Sequence, residues 1–470
     1  MNSSRRKFLR HSLAGATIGT LSAALPNFQT QAAEVSGYKA LVCVFLFGGM
    51  DNHDLLFPYD QPSYDNYSRI RASLLQAYEG IPGGSTRVRR RLLPLALNNA
   101  GRFGQRQFAL PEEFSGIHGL FNSGNAAIVG NVGPLQQPLN RTQWEDESIP
   151  VPNRLFSHND QQSTWMALSP EGASAGWGGR FADMAMASNA NSFNAFTGVS
   201  TSGNSLFLTG RQTRPYPVTS EGGATFGALE QLQESRFDMR GERVYQALRQ
   251  HLANTRFSSN HLIERDMAAA SRQALNNNEA YNAALFSAPE LSTVFPGNNI
   301  LASQLQGVAR SISLRNILGM RRQVFFVTLG GFDTHSAQAD VLPGLQRQID
   351  QAVTAFYQST VEMGVASDVT LFTASDFGRT LTTNGDGTDH GWGGHQFVVG
   401  GGIRGRQIFG DVPVPELGHN LDAGNGRLIP STSLQSFAAP LGRWFGLTER
   451  EVEQSLPGYE NFRTDVPLFG

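Results

Sequence analysis

Gln323-Val324-Phe325-Phe326-Val327-Thr328-Leu329, followed at once by Gly330-Gly331-Phe332-Asp333-Thr334-His335, reads as a strand with no wet face. A run buried on both sides is what a parallel strand covered by helices looks like. Downstream, Leu345, Ile349, Val353 and Phe356 recur at steps of four, four and three, and Gly364 stands where that helix should stop. Val369 to Thr373 then forms a second apolar run, ending in Ala374-Ser375-Asp376. Strand, helix, strand implies a right-handed crossover and a parallel sheet.

Two earlier runs fit the same sheet. Ala40 to Phe47 ends in Gly48-Gly49-Met50-Asp51, and Ala126 to Val129 ends in Gly130-Asn131-Val132-Gly133. The fold class is therefore mixed α/β. The stretch from about 188 to 299 differs: Asn, Ser, Gly and Thr dominate its start, and polar helical stretches follow near 228–254 and 262–286. Its longest strand-like apolar run is Leu206-Phe207-Leu208. It reads as an insertion or cap on one α/β domain spanning 33–470.

Residues 1–32 read as a leader. Ser4-Arg5-Arg6-Lys7-Phe8-Leu9-Arg10 has the form of a twin-arginine export signal, Leu13 to Leu25 is mildly apolar, and Thr30-Gln31-Ala32 offers a cleavage site. The apolar stretch is too short to span a bilayer, so no transmembrane helix is expected in the mature chain, which would be periplasmic or secreted. Four basic residues and no acid leave with the leader, taking the formal charge from −2 to −6. That balance argues against nucleic acid as a partner. Of 37 basic residues only Lys7 and Lys39 are lysines, which sets aside Schiff-base and P-loop chemistry. Cys43 is the single cysteine and lies inside an apolar strand, so it reads as a core thiol without a disulfide.

Chemistry is expected where the strands end. Asp51, Asp333 and Asp376 each follow an apolar run, and ligands of parallel α/β sheets bind at the carboxyl ends of strands. Converging carboxylates need a cation between them. His335 lies two residues after Asp333, and Asp389-His390-Gly391-Trp392-Gly393-Gly394-His395 adds two imidazoles in a glycine-rich loop. Oxygen and imidazole donors without thiolate suit a divalent metal, with Zn²⁺ or Mn²⁺ favoured and Mg²⁺ or Ca²⁺ possible. Ser157, ahead of a helical stretch, is the candidate nucleophile, with helix N-capping as its alternative role. Arg154 and Arg379 are candidates to grip an anionic substrate.

Taken with Gly176-Trp177-Gly178-Gly179-Arg180 and Ser375-Asp376-Phe377-Gly378-Arg379-Thr380, these motifs resemble the exported family known as domain of unknown function 1501. That family is grouped with the alkaline phosphatase and sulfatase superfamily. The resemblance implies an alkaline-phosphatase-like three-layer sandwich and a metal-dependent hydrolase of phosphate or sulfate esters. It further implies Ser157 as nucleophile and Asp51, Asp333, His335, Asp376 and His390 or His395 as metal ligands. Phe377 stands where the superfamily's Asp-His pair has its histidine, a departure that His390 could make good. The Cys-x-Pro-x-Arg sulfatase signature is absent. The competing expectation is a non-catalytic envelope protein that keeps the fold and a residual metal site and binds a glycan or a protein partner not specified by the sequence.

Overall fold

The computed structural model describes residues 36–223, 239–253, 262–462 and 464–470. The leader motif at 1–32 lies outside these residues, as do 224–238 and 254–261 of the expected insertion. Nine strands among the described residues form one sheet: β1 (Lys39–Leu46), β2 (Ala126–Gly133), β3 (Gly198–Ser200), β4 (Tyr216–Pro217), β5 (Arg322–Leu329), β6 (Val369–Ser375), β7 (Gly394–Val399), β8 (Ile408–Gly410) and β9 (Thr432–Ser433). Their order is β8-β2-β7-β6-β1-β5-β3-β4, with β9 paired to the end of β2. Neighbours run parallel except at β7, which is antiparallel to both β6 and β2.

The doubly buried reading of the strands holds because helices cover both faces. Along β1, Ala40, Val42, Val44 and Leu46 face one core, while Leu41, Cys43 and Phe45 face the other. The first core is closed by α1 (Ser115–Asn122), α4 (Ile300–Ser313) and α5 (Gln338–Glu362). The second is closed by α2 (His158–Ala167), α3 (Trp177–Ala187) and α6 (Leu434–Phe445). Cys43 is buried and free. No helix among the described residues is long and apolar enough to cross a membrane.

Register decides what meets at the sheet edge. Leu46 lies opposite Leu329 on one side and Ser375 on the other, so the loops after β1, β5 and β6 emerge at one level. Because β7 runs the opposite way, the loop that enters it at Gly394 lies along the same edge. The crossover through α5 carries the chain from β5 past β1 to β6. The expected insertion is not wholly apart from the sheet. Its Gly198–Ser200 pairs with β5, and Tyr216–Pro217 extends that edge, pieces of three and two residues that no periodicity can announce. Two helices, Met239–Ala253 and Leu262–Ser287, fall in the expected polar helical stretches, of which 228–238 and 254 lie outside the described residues.

Candidate metal centre

Three loops are locked together before any ligand is considered. Phe332 N–H donates to the Phe47 carbonyl at 3.1 Å. Gly48 has a φ of +115°, and a Cβ there would strike the main-chain nitrogen of Asp333, which is why glycine is needed at that approach. Arg379 is fully buried and closes the frame. Its Nε donates to Gly49 O at 3.0 Å, its Nη1 to Thr388 O at 3.1 Å, and its Nη2 to Gly48 O and Phe332 O at 2.9 Å each. The same Nη2 reaches Asp333 Oδ1 at 2.6 Å. Arg379, expected to hold substrate, instead holds the frame, because burial and five internal acceptors occupy its guanidinium.

Onto this frame the chain brings three imidazoles. His158 begins α2, His335 follows Asp333 on the β5 loop, and His390 sits where Arg379 and His390 form an antiparallel bridge. In each, Nδ1 lies against an acceptor: Asp376 Oδ2 at 2.6 Å for His158, Phe156 O at 2.7 Å for His390 and Asp389 Oδ1 at 3.3 Å for His335. The Phe156 carbonyl only accepts, so His390 carries its proton on Nδ1. Each Nε2 then faces Asp333, at 3.1 Å for His390 and 3.2 Å for His335 to Oδ1, and 3.5 Å for His158 to Oδ2. His335 Nε2 and His390 Nε2 are 2.9 Å apart.

For His390 this leaves a lone pair on Nε2 facing a carboxylate oxygen, two acceptors in contact, an arrangement that a cation relieves. Donors ~2.1 Å from a shared ion are ~3.0–3.4 Å apart at octahedral or tetrahedral angles, and the separations above run from 2.9 to 3.5 Å. His158, Asp333 and His390 each offer a ligand atom within 4.8 Å of the others, with His335 adjoining. Nδ1 anchored to a carboxylate or carbonyl is how metal-ligating histidines are oriented. The residues fit a divalent cation of the Zn²⁺ or Mn²⁺ kind.

Electrostatics follow from the packing. Partial desolvation pushes Asp333 up, but the hydrogen bond and charge of Arg379 hold it below the usual carboxylate range. The hydrogen bond to Asp376 holds His158 above the ordinary histidine value against its partial burial. Phe377 packs against both the His158 ring, at 4.9 Å, and the His390 ring, at 4.4 Å. It forms the floor of the cluster. His158, which is not among the donors expected from the sequence, is the histidine that pairs with Asp376.

The remaining expected residues lie elsewhere in the network. Asp376 is buried and accepts from His158 and from Gln162 Nε2 at 2.8 Å on Oδ2, while Oδ1 has no partner. It orients His158 from behind. Asp51 is fully buried in a bidentate pair with Arg71, at 2.7 and 3.0 Å, and also accepts from Gln338 Nε2 at 2.7 Å and His53 N–H at 3.0 Å. Four protein donors fill a carboxylate's acceptor capacity, leaving Asp51 a structural role in this arrangement. His395 is buried, with Nδ1 accepting the Asn131 N–H at 3.0 Å, and burial pushes it down to about 4. Ser157 takes the N-cap position of α2, but its hydroxyl donates to Asp160 Oδ2 at 2.9 Å instead of capping. Arg154 is largely exposed (75 %), with its guanidinium 3.7 Å from Asp160.

No curated protein matches the chain. The family model described as protein of unknown function (DUF1501) matches residues 38–456, nearly the whole of the described fold. On that match, the chain is a member of the DUF1501 family.

Proposed function

We propose that this protein is an exported metal-dependent hydrolase of phosphate or sulfate esters, with an alkaline-phosphatase-like sandwich. The convergence of three Nδ1-anchored imidazoles on Asp333 carries the proposal. His158, Asp333 and His390, with His335, would hold the cation. A bound divalent metal supplies Lewis acidity and neutralises charge on the reacting oxygens. The protein does the rest: Arg379 fixes Asp333, Asp376 fixes His158, and the Phe156 carbonyl keeps the His390 proton on Nδ1. Asp333 and His335 are 46 % and 44 % exposed at the side chain, so a small anionic ester can approach from solvent. Arg154, exposed two residues before Phe156, would meet its charge, and Ser157, next to His158, would act as nucleophile once released from Asp160.

One observation favours a second reading, a non-catalytic envelope protein that binds a glycan or partner through the same centre. The Ser157 hydroxyl is tied to a carboxylate and Arg379 is closed into the frame, so neither expected group stands free for a substrate. Turnover of aryl phosphate and aryl sulfate by protein exported in native form separates the two. The hydrolase reading expects turnover that Asp333→Ala and chelation both abolish. Stoichiometric metal with no turnover of either ester supports the binding protein instead.

A further inference from the structure

His390 is held at two points by groups that are themselves joined. Its ring is oriented by the Phe156 carbonyl, and its main-chain carbonyl accepts Arg427 Nε at 2.8 Å. The guanidinium of Arg427 lies over the Phe156 ring, 5.3 Å from its centroid. Phe156 itself has a φ of +72°, a left-handed conformation rare for a bulky residue and one that surrounding contacts must hold. A single side chain thus braces both the loop bearing His390 and the turn whose carbonyl aims its imidazole.

We infer that Arg427 is a positioning residue for the candidate metal centre, acting through Phe156 and His390; the inference rests on the metal-site reading above. The Arg427 guanidinium makes no hydrogen bond or ion pair to Asp333 or His158, and its other hydrogen bond goes to Gly424 O at 3.3 Å. The planar guanidinium can stack on the ring and donate edgewise to a carbonyl at once, which an ammonium cannot do as well. Loss of the brace lets the Phe156 turn relax, and the Nδ1 anchor of His390 moves with it. Partners of this indirect kind typically change metal affinity by about 10–100-fold.

The test is Zn²⁺ affinity by chelator competition on the full chain, with melting in excess EDTA measured alongside. Arg427→Met should weaken Zn²⁺ binding about 10–100-fold, and Arg427→Lys should fall between it and the unmodified protein. Melting in EDTA should stay within about 2 °C, since a half-exposed brace carries little of the core. Long-range imidazole ¹⁵N correlations should show His390 losing its fixed Nδ1–H tautomer in the Met variant. Unchanged affinity in Arg427→Met, with Zn²⁺ still bound by the unmodified protein, overturns the inference and leaves the centre standing. If the unmodified protein binds no Zn²⁺, both fall. Should the Met variant fail to fold, Arg427→Lys carries the same test, and affinity and tautomer equal to the unmodified protein would overturn the inference.

Discussion

Replacing Asp51 by alanine separates a structural carboxylate from a ligand. The substitution strands Arg71, whose guanidinium is fully buried and keeps only the Leu381 and Thr380 carbonyls, at 3.1 and 2.8 Å. Breaking a buried pair from one side costs about 3–5 kcal/mol. At ~2.1 cal/mol/K per residue, a unit the length of Ala33–Gly470 has an unfolding entropy of ~0.9 kcal/mol/K, so melting should fall by about 3–5 °C. The drop should be the same with and without EDTA, because no metal is involved. Asp51→Leu with Arg71→Met, which removes both charges and refills the space, should recover at least half of it. Metal content should not change. A variant that loses its cation yet melts in EDTA like the unmodified protein would refute this reasoning and make Asp51 a ligand after all.

Acid should destabilise the fold through two histidines held neutral. Burial sets His395 at about 4 and His53 at about 3, against ~6.5 unfolded, so the unfolded chain takes up protons first. Stability is full above pH ~6.5 and declines towards pH 4, by about 3 kcal/mol for His395 alone at ~1.4 kcal/mol per unit. Urea midpoints in EDTA between pH 7.5 and 4.5 should show that slope, shallower in His395→Gln; equal slopes would count against it. Gly48→Ala, at a φ that L side chains rarely adopt, should cost about 1–3 kcal/mol of strain and weaken metal binding by moving Asp333. Unaltered melting and affinity would contradict that placement. Phe377→Ala, emptying the floor beneath two imidazoles, should destabilise by about 3–5 kcal/mol, read in the same melts.

The sheet was legible because its central strands are continuous apolar runs between helices, and the crossover from 322 to 375 follows from the period of Leu345, Ile349, Val353 and Phe356. The reversed direction of β7 was not, since Gly394–Val399 reads the same along either direction of pairing. At the centre, Asp333, His335 and His390 were legible as strand-end donors. His158 was not, because its partner Asp376 is 218 positions away and nothing local marks it. Asp51 illustrates the converse: an acid after a strand looks like a ligand until Arg71, twenty residues on, is seen to occupy it. Arg379 misled for the same reason, since burial decides whether an arginine faces substrate or main-chain carbonyls. Phe377 stands where the resemblance calls for a histidine, and the imidazole beside Asp376 comes from His158 of α2 instead.

The most direct measurement is divalent metal content and affinity of the native protein beside Asp333→Ala. The native protein should hold at least one equivalent tightly, Zn²⁺ or Mn²⁺ preferred, and the variant none. A folded, unmodified protein that neither carries nor takes up a divalent cation would contradict it.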